Sequence, residues 1–142
     1  MDGKQEISID VTVPSTHAYI ALIGRIVEDV VDAIKLGYQS PETLGQQLNL
    51  VVTEAATNAH QHANLNRSDA SIHVCLSYAK QELRIKVFDQ GPGFDLNLVD
   101  EPEPDSLEEH GRGIFLIKSL MDSVTYERGE SGNVLEMIKT LA

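Results

Sequence analysis

The sequence predicts an α+β protein, a two-layer sandwich with a mostly antiparallel sheet and helices on one face. Three observations lead there. The strand-like segments alternate apolar with polar residues, the period of a strand with one wet face. Two long segments repeat apolar residues every three or four positions, the period of an amphipathic helix. The order is β-α-α-β-β, a long irregular stretch, then α-β-β. Half-buried strands in that order suit a sheet covered on one side only.

Ile7-Ser-Ile-Asp-Val-Thr-Val13 alternates strictly and is the first strand. Pro14 and Ser15 stop it, and Ser15 is placed to cap the first helix. Ile20, Ile23, Val27, Val30 or Val31, and Ile34 form that helix's apolar stripe, and Gly37 ends it. Ser40-Pro41-Glu42 opens the second helix with a cap, a proline at the first position and an acid favoured by the dipole. This helix is expected to reach about His62, with Leu44, Leu48, Val52, Ala55 and Ala59 in the core; residues 64–69 are a loop. Ile72, Val74, Leu76 and Tyr78 share one strand face. Leu83, Ile85 and Val87 share the next, after the polar break Lys80-Gln81-Glu82, so the pair reads as a hairpin. That second strand runs into Asp89-Gln-Gly-Pro-Gly-Phe94, a turn. The stretch from Asp95 to His110 holds two prolines and no sustained period, which marks a functional lid or an insert. Gly111-Arg112-Gly113 opens a short apolar helix, Ile114 to Leu120. Val124–Arg128 and Val134–Leu141 are strands joined at Gly129-Glu-Ser-Gly132.

A chain of 142 residues allows one domain, expected to span residues 1–142. Its 42% hydrophobic content argues against disorder. The longest apolar stretch, Ala18 to Gly24, is too short to span a bilayer, and the polar start MDGKQEISID is no signal peptide. A single cysteine excludes a disulfide framework and a thiolate metal cluster. Cys75 lies in a strand and is expected to be a small core residue. These features predict a soluble, cytoplasmic protein. Eleven basic against 22 acidic residues give a net charge of -11, which excludes direct nucleic-acid and anionic-membrane partners, since both need a positive field. Seven of the acids fall between Asp95 and Glu109, with no Lys or Arg among them; a hydrated loop accounts for such a run.

Three motifs could carry chemistry. Glu54, Asn58 and His62 are spaced four apart and form one row along the second helix. There a carboxylate and a carboxamide could serve as a base and as an oxygen ligand for Mg²⁺; a solvent-facing polar row is the alternative. Asp89-x-Gly91-x-Gly93 follows a strand, where glycines permit close backbone approach by a ligand and Asp89 could accept hydrogen bonds from a bound base. An ordinary turn explains that string equally well. Gly111-Arg112-Gly113 precedes a helix, whose free N–H groups and dipole attract phosphate, with Arg112 as a charged donor. Glycines also permit a sharp loop-to-helix turn. Neither a Walker A loop nor a dinucleotide fingerprint is present.

Taken in order, the three motifs resemble the N, G1 and G2 boxes of the superfamily uniting DNA gyrase, heat-shock chaperone, histidine-kinase and mismatch-repair ATPase domains. The compact length, the E-x-x-x-N-A-x-x-H-A string from Glu54 to Ala63, DQGPGF and GRGIFLIKSLMDSV (Gly111 to Val124) are similar to the bacterial anti-sigma-factor serine/threonine kinases. The resemblance covers nearly the whole chain and implies a Bergerat-type ATP-binding fold. It also implies roles. Glu54 matches the general base, Asn58 the Mg²⁺ ligand, and Asp89 the acid that reads the adenine amino group. Gly91, Gly93, Gly111 and Gly113 match the loops around ATP, Arg112 sits at a variable position among them, and residues 95–110 correspond to the nucleotide lid. The implied activity is ATP-dependent phosphorylation of a small antagonist protein, of the anti-anti-sigma type. The other implied partners are a sigma factor or similar regulator and, commonly in the family, a second copy of the chain.

Rival readings are a nucleotide-binding switch module that transfers nothing, a sensor histidine-kinase domain, and a plain ATPase in which the same base activates water. The histidine-kinase reading ranks lower, because about fifty residues precede the first motif and leave no room for a helical phosphoacceptor hairpin. His60 and His62, two apart on a helix, point to different sides and do not form a zinc pair. His62 matches a family position and is expected to support Asn58 or pack beneath the site. His17, His73 and His110 have no partners legible in the sequence. Arg25 reads as a solvated surface residue or a partner contact.

Overall fold

Strict alternation needs a sheet with one dry face, and the five strands supply it. The computed structural model describes residues 6–35, 43–61, 70–90 and 109–141, with the backbone alone at 35 and 109–112. Along the chain run β1 (Ile7–Pro14), α1 (His17–Lys35), α2 (Leu44–Ala59), β2 (Ser71–Ala79), β3 (Glu82–Asp89), α3 (Glu109–Leu120), β4 (Ser123–Gly129) and β5 (Gly132–Thr140). The sheet order is β1-β2-β3-β5-β4, and each neighbouring pair is antiparallel. The expected α+β order and the antiparallel sheet are both present.

Burial follows the alternation. Ile72, Val74, Leu76 and Tyr78 of β2, and Leu83, Ile85 and Val87 of β3, are buried. They meet Ile23, Val27, Val31 and Ile34 of α1, Leu48, Val51, Val52 and Ala55 of α2, and Ile114 and Ile117 of α3 in one core. Val31 is fully buried, while Val30 packs at the core's margin. The out-of-phase residues, among them His73, Cys75, Arg84, Lys86 and Glu136, lie on the opposite face of the sheet and are partly exposed. Cys75 is therefore not a core residue, which corrects the expectation from its strand position. Its phase is that of His73 and Ser77, not that of Val74 and Leu76.

Two boundaries differ from the sequence reading, at the starts of α1 and α3. The Thr16 carbonyl accepts the Ile20 N–H at 3.0 Å, so Thr16 caps α1. Ser15 instead places its hydroxyl 2.8 Å from His60 Nδ1 at the far end of α2. The regular turns of α2 begin at Leu44, with Thr43 at the cap; Gly37 and the proposed start at 40–42 lie outside the described residues. The helix α3 starts at Glu109, so Gly111 and Gly113 lie inside its first turns instead of preceding it. The Lys139 ammonium donates to the Leu120 carbonyl at 2.8 Å and satisfies an orphan acceptor at the end of α3.

The β2–β3 hairpin closes on Lys80 and Gln81, which both have positive φ, 53° and 66°. A two-residue turn of this hand matches the twist of the strands and favours Asn-Gly. Here two long side chains occupy it, and Ala79 still pairs with Glu82.

Candidate active site

Helix α2 carries Glu54 and Asn58 one turn apart, and their environments differ. Asn58 is buried, at 5% exposure, whereas Glu54 is half-buried. A solvent-facing polar row is thus excluded at Asn58. The packing of α3 on α2 brings Gly113 against Glu54. A Cβ at Gly113 would stand 2.7 Å from Glu54 Oε2 and 3.6 Å from its Cδ. Any side chain there would press on the carboxylate, so glycine is what leaves the Glu54 carboxylate its place between the two helices. Two motifs 59 positions apart, the second helix row and the GRG string, are therefore one place in the fold.

Asp89 ends β3 in phase with Leu83, Ile85 and Val87, so its carboxylate turns to the helix-covered side and is 9% exposed. A carboxylate in that position needs hydrogen-bond donors. Asn133, its register partner on β5, donates from Nδ2 to Oδ1 at 2.7 Å. The Tyr126 hydroxyl on β4 donates to Oδ2 at 3.1 Å. Two strands thereby orient one carboxylate. The positive φ of Gly132, 130°, brings its backbone within 3.0 Å (from an added Cβ) of the Asp89 carbonyl, which seats the β5 turn against the end of β3.

Sequence reasoning missed Tyr126 and Asn133. Asn133 had a usable signal: it shares the phase of Leu135 and Met137, and a polar residue in a buried phase needs a partner. Gly91 and Gly93, His62 and residues 95–108 of the expected lid lie outside the described residues. Glu109 and His110 belong to α3, and so do the backbones of Gly111 and Arg112. At that start the first four N–H groups of the helix have no intrahelical acceptor, so the N–H groups of Gly111 and Arg112 remain in the anion-attracting turn. His60 holds its place through Ser15 and an edge contact with the His17 ring, centroids 5.2 Å apart; both histidines are used in packing. Arg25 is exposed. A cavity of about 270 Å³, lined by residues including Lys86, Phe88, Thr125 and Glu136, opens on the other face of the sheet.

The donors suit a magnesium–nucleotide complex. A half-buried carboxylate can accept a proton, a buried carboxamide offers a hard oxygen, and an oriented acid can take the N–H of a base. Residues 13–139 match the histidine kinase-like ATPase domain. The chain belongs to that family. Within it the protein is related to bacterial serine-protein kinases. It is 33% identical to the serine-protein kinase RsbW of Staphylococcus epidermidis over 140 residues, covering 92% of this chain and 85% of that one. It is 31% identical to RsbW of Staphylococcus aureus over 148 residues, covering 98% and 89%. Solved structures share the fold. The SiaB–SiaC complex from Pseudomonas aeruginosa aligns with a TM-score of 0.63 at 12% identity, over 94% of this chain and 89% of that one. A histidine kinase domain from Erythrobacter litoralis aligns at 0.54 and 22% identity, over 91% and 62%. The sandwich is that of the histidine kinase-like ATPases, and no described helix is long and apolar enough to cross a membrane.

Proposed function

We propose that this chain is an ATP-dependent protein serine/threonine kinase of the anti-sigma-factor type. It regulates transcription in the cytoplasm by partner switching, as one domain and as a homodimer. It binds a sigma factor or similar regulator and phosphorylates the small protein that antagonises this binding. The observation that carries the reading is the contact of Gly113 with the Glu54 carboxylate, which sets a base beside the turn that would receive phosphate. The serine-protein kinase relatives support it.

In this reading Asp89, oriented by Asn133 and Tyr126, accepts the adenine amino group. Gly91, Gly93, Gly111 and Gly113 give the nucleotide backbone-lined walls, and Arg112 adds a cation near the phosphates. Asn58 supplies an oxygen for Mg²⁺, which when bound neutralises triphosphate charge. Glu54 takes the proton of the substrate hydroxyl as that oxygen accepts the γ-phosphoryl group and ADP leaves. Such chemistry asks the protein mainly for position and electrostatics.

The test separates binding from transfer. Glu54→Gln preserves shape and removes the base. Calorimetry should find ATP affinity within a few-fold, and mass analysis of the cognate antagonist should find phosphate transfer reduced by about 10² to 10⁴. Full transfer by the folded variant would refute the assignment of Glu54. No transfer by the unmutated protein to any cognate antagonist would favour a nucleotide-dependent switch.

A further inference from the structure

On the face of the sheet turned away from the described helices, β1 and β2 bring three different donor side chains together. Asp10 and Cys75 are direct register partners, and Thr12 pairs with His73, so His73 stands two residues along the same face of β2 from Cys75. His73 Nε2 is hydrogen-bonded to Asp10 Oδ1 and lies 3.5 Å from Cys75 Sγ. One oxygen, one nitrogen and one sulfur lie within 4.8 Å of one another. Two of them converge on the same ring nitrogen.

We propose that Asp10, His73 and Cys75 form a binding site for a zinc-class divalent cation, separate from the nucleotide site. The donor set favours such an ion over Mg²⁺, since thiolate and imidazole select borderline metals and Mg²⁺ takes oxygen. The nitrogen–sulfur spacing fits as well: bonds of about 2.1 Å to nitrogen and about 2.3 Å to sulfur at a tetrahedral angle separate the two donors by about 3.6 Å, against the 3.5 Å observed. Asp10 Oδ1 and His73 Nε2 share a hydrogen bond in the empty site, so the ion takes the place of that proton and parts the two donors to about 3.4 Å. The imidazole is held in place by Phe88 on β3, its rings stacked at 4.6 Å and 18°. The neighbouring cation, Lys86, is drawn towards Glu136, 3.8 Å away. The carboxylate and imidazole are 68% and 38% exposed, which leaves water free to complete the coordination. Burial first, and the Asp10 carboxylate second, push the thiol above its usual range, so binding releases the thiol proton to solvent as the metal–sulfur bond forms.

Cys75 is the sole cysteine, so a thiolate signal can come from nowhere else in the chain. Co²⁺ added to the reduced, tag-free full chain without nucleotide should produce a near-ultraviolet thiolate-to-cobalt band that saturates at one equivalent and that Zn²⁺ bleaches. Cys75→Ser should abolish the band. His73→Ala and Asp10→Asn should each weaken cobalt binding by more than about tenfold, the least that loss of even an outer-shell partner costs. Circular dichroism checks that each variant is folded. Absence of the band at millimolar Co²⁺ in the folded wild-type chain would overturn the site. Binding unchanged in either His73→Ala or Asp10→Asn would overturn the three-ligand assignment. Saturation at half an equivalent would overturn a site within one chain.

Discussion

Gly113 is the residue on which the two halves of the candidate site depend. An alanine there gains helix propensity, about 1 kcal/mol, and the atom it meets is the end of a flexible side chain, 2.7 Å away. The fold should therefore tolerate Gly113→Ala, while the Glu54 carboxylate must move. The expected outcome is a thermal midpoint held or slightly raised, with phosphotransfer reduced by more than about tenfold, since small misplacements of reacting groups are costly. A folded variant with full transfer would show that the position of Glu54 is not set by this contact. Asn133 offers a second test. Asn133→Leu keeps the volume and removes the 2.7 Å donor to Asp89. Hydrogen bonds to charged groups contribute about 1.5–3 kcal/mol. Calorimetry should show ATP affinity down by about tenfold or more, and unchanged affinity would separate Asn133 from base recognition.

At the scale of elements, α1 and α2 approach each other through Gly24. A Cβ there would collide with Asn49 Oδ1 and stand 2.7 Å from Thr53 Oγ1. Neither group is idle: Asn49 donates to Glu28 at 2.8 Å and accepts from Thr53 at 3.1 Å. Overpacking costs about 1–3 kcal/mol, more than the roughly 1 kcal/mol of helix propensity gained. Gly24→Ala should lower stability in urea by about 1 kcal/mol, and an unshifted midpoint would mean that the helices simply separate. The β2–β3 turn should respond the other way. Replacing Lys80-Gln81 by Asn-Gly puts the two residue types that best tolerate left-handed backbone at these positions, and should raise stability by about 0.5–1 kcal/mol. Loss of stability would show that the turn residues are held by contacts their φ angles do not reveal.

For the whole molecule, the net charge of -11 sets self-repulsion against a few surface ion pairs. Arg84 bridges Glu82 at 2.7 Å and Glu136 at 3.1 Å on the face turned away from the described helices, but such exposed pairs contribute about 0–1 kcal/mol each. Excess like charge is spread over the chain and is screened by salt. The thermal midpoint should therefore rise, by about 2–6 °C per kcal/mol recovered, between 20 and about 300 mM sodium chloride. A falling midpoint would mean that the Arg84 network outweighs the repulsion.

The alternation of β1, β2 and β3 and the stripes of α1 and α2 were legible because burial on one face imposes a period on the chain itself. The placement of Glu54 and Asn58 one turn apart on α2, and of Asp89 at the end of β3, was legible too, from the helix repeat and the strand end. The start of α3 was not legible, because Glu109 and His110 carry no strong helix signal and the glycines at 111 and 113 look like a turn. Nor were the partners of a residue that lie far along the chain. Asn133 meets Asp89, Ser15 meets His60, and Asp10 meets His73 and Cys75 only through strand register and helix packing. A period tells a side chain which face to take, but not which strand lies next to it. The sequence by itself determined the order of elements and the faces they bury. The tertiary structure alone decided that Gly113 touches Glu54, that Asp89 is held by two strands, and that a carboxylate from β1 stands beside His73 and Cys75. Each of these depends on contacts between segments tens of residues apart, and no local pattern encodes them.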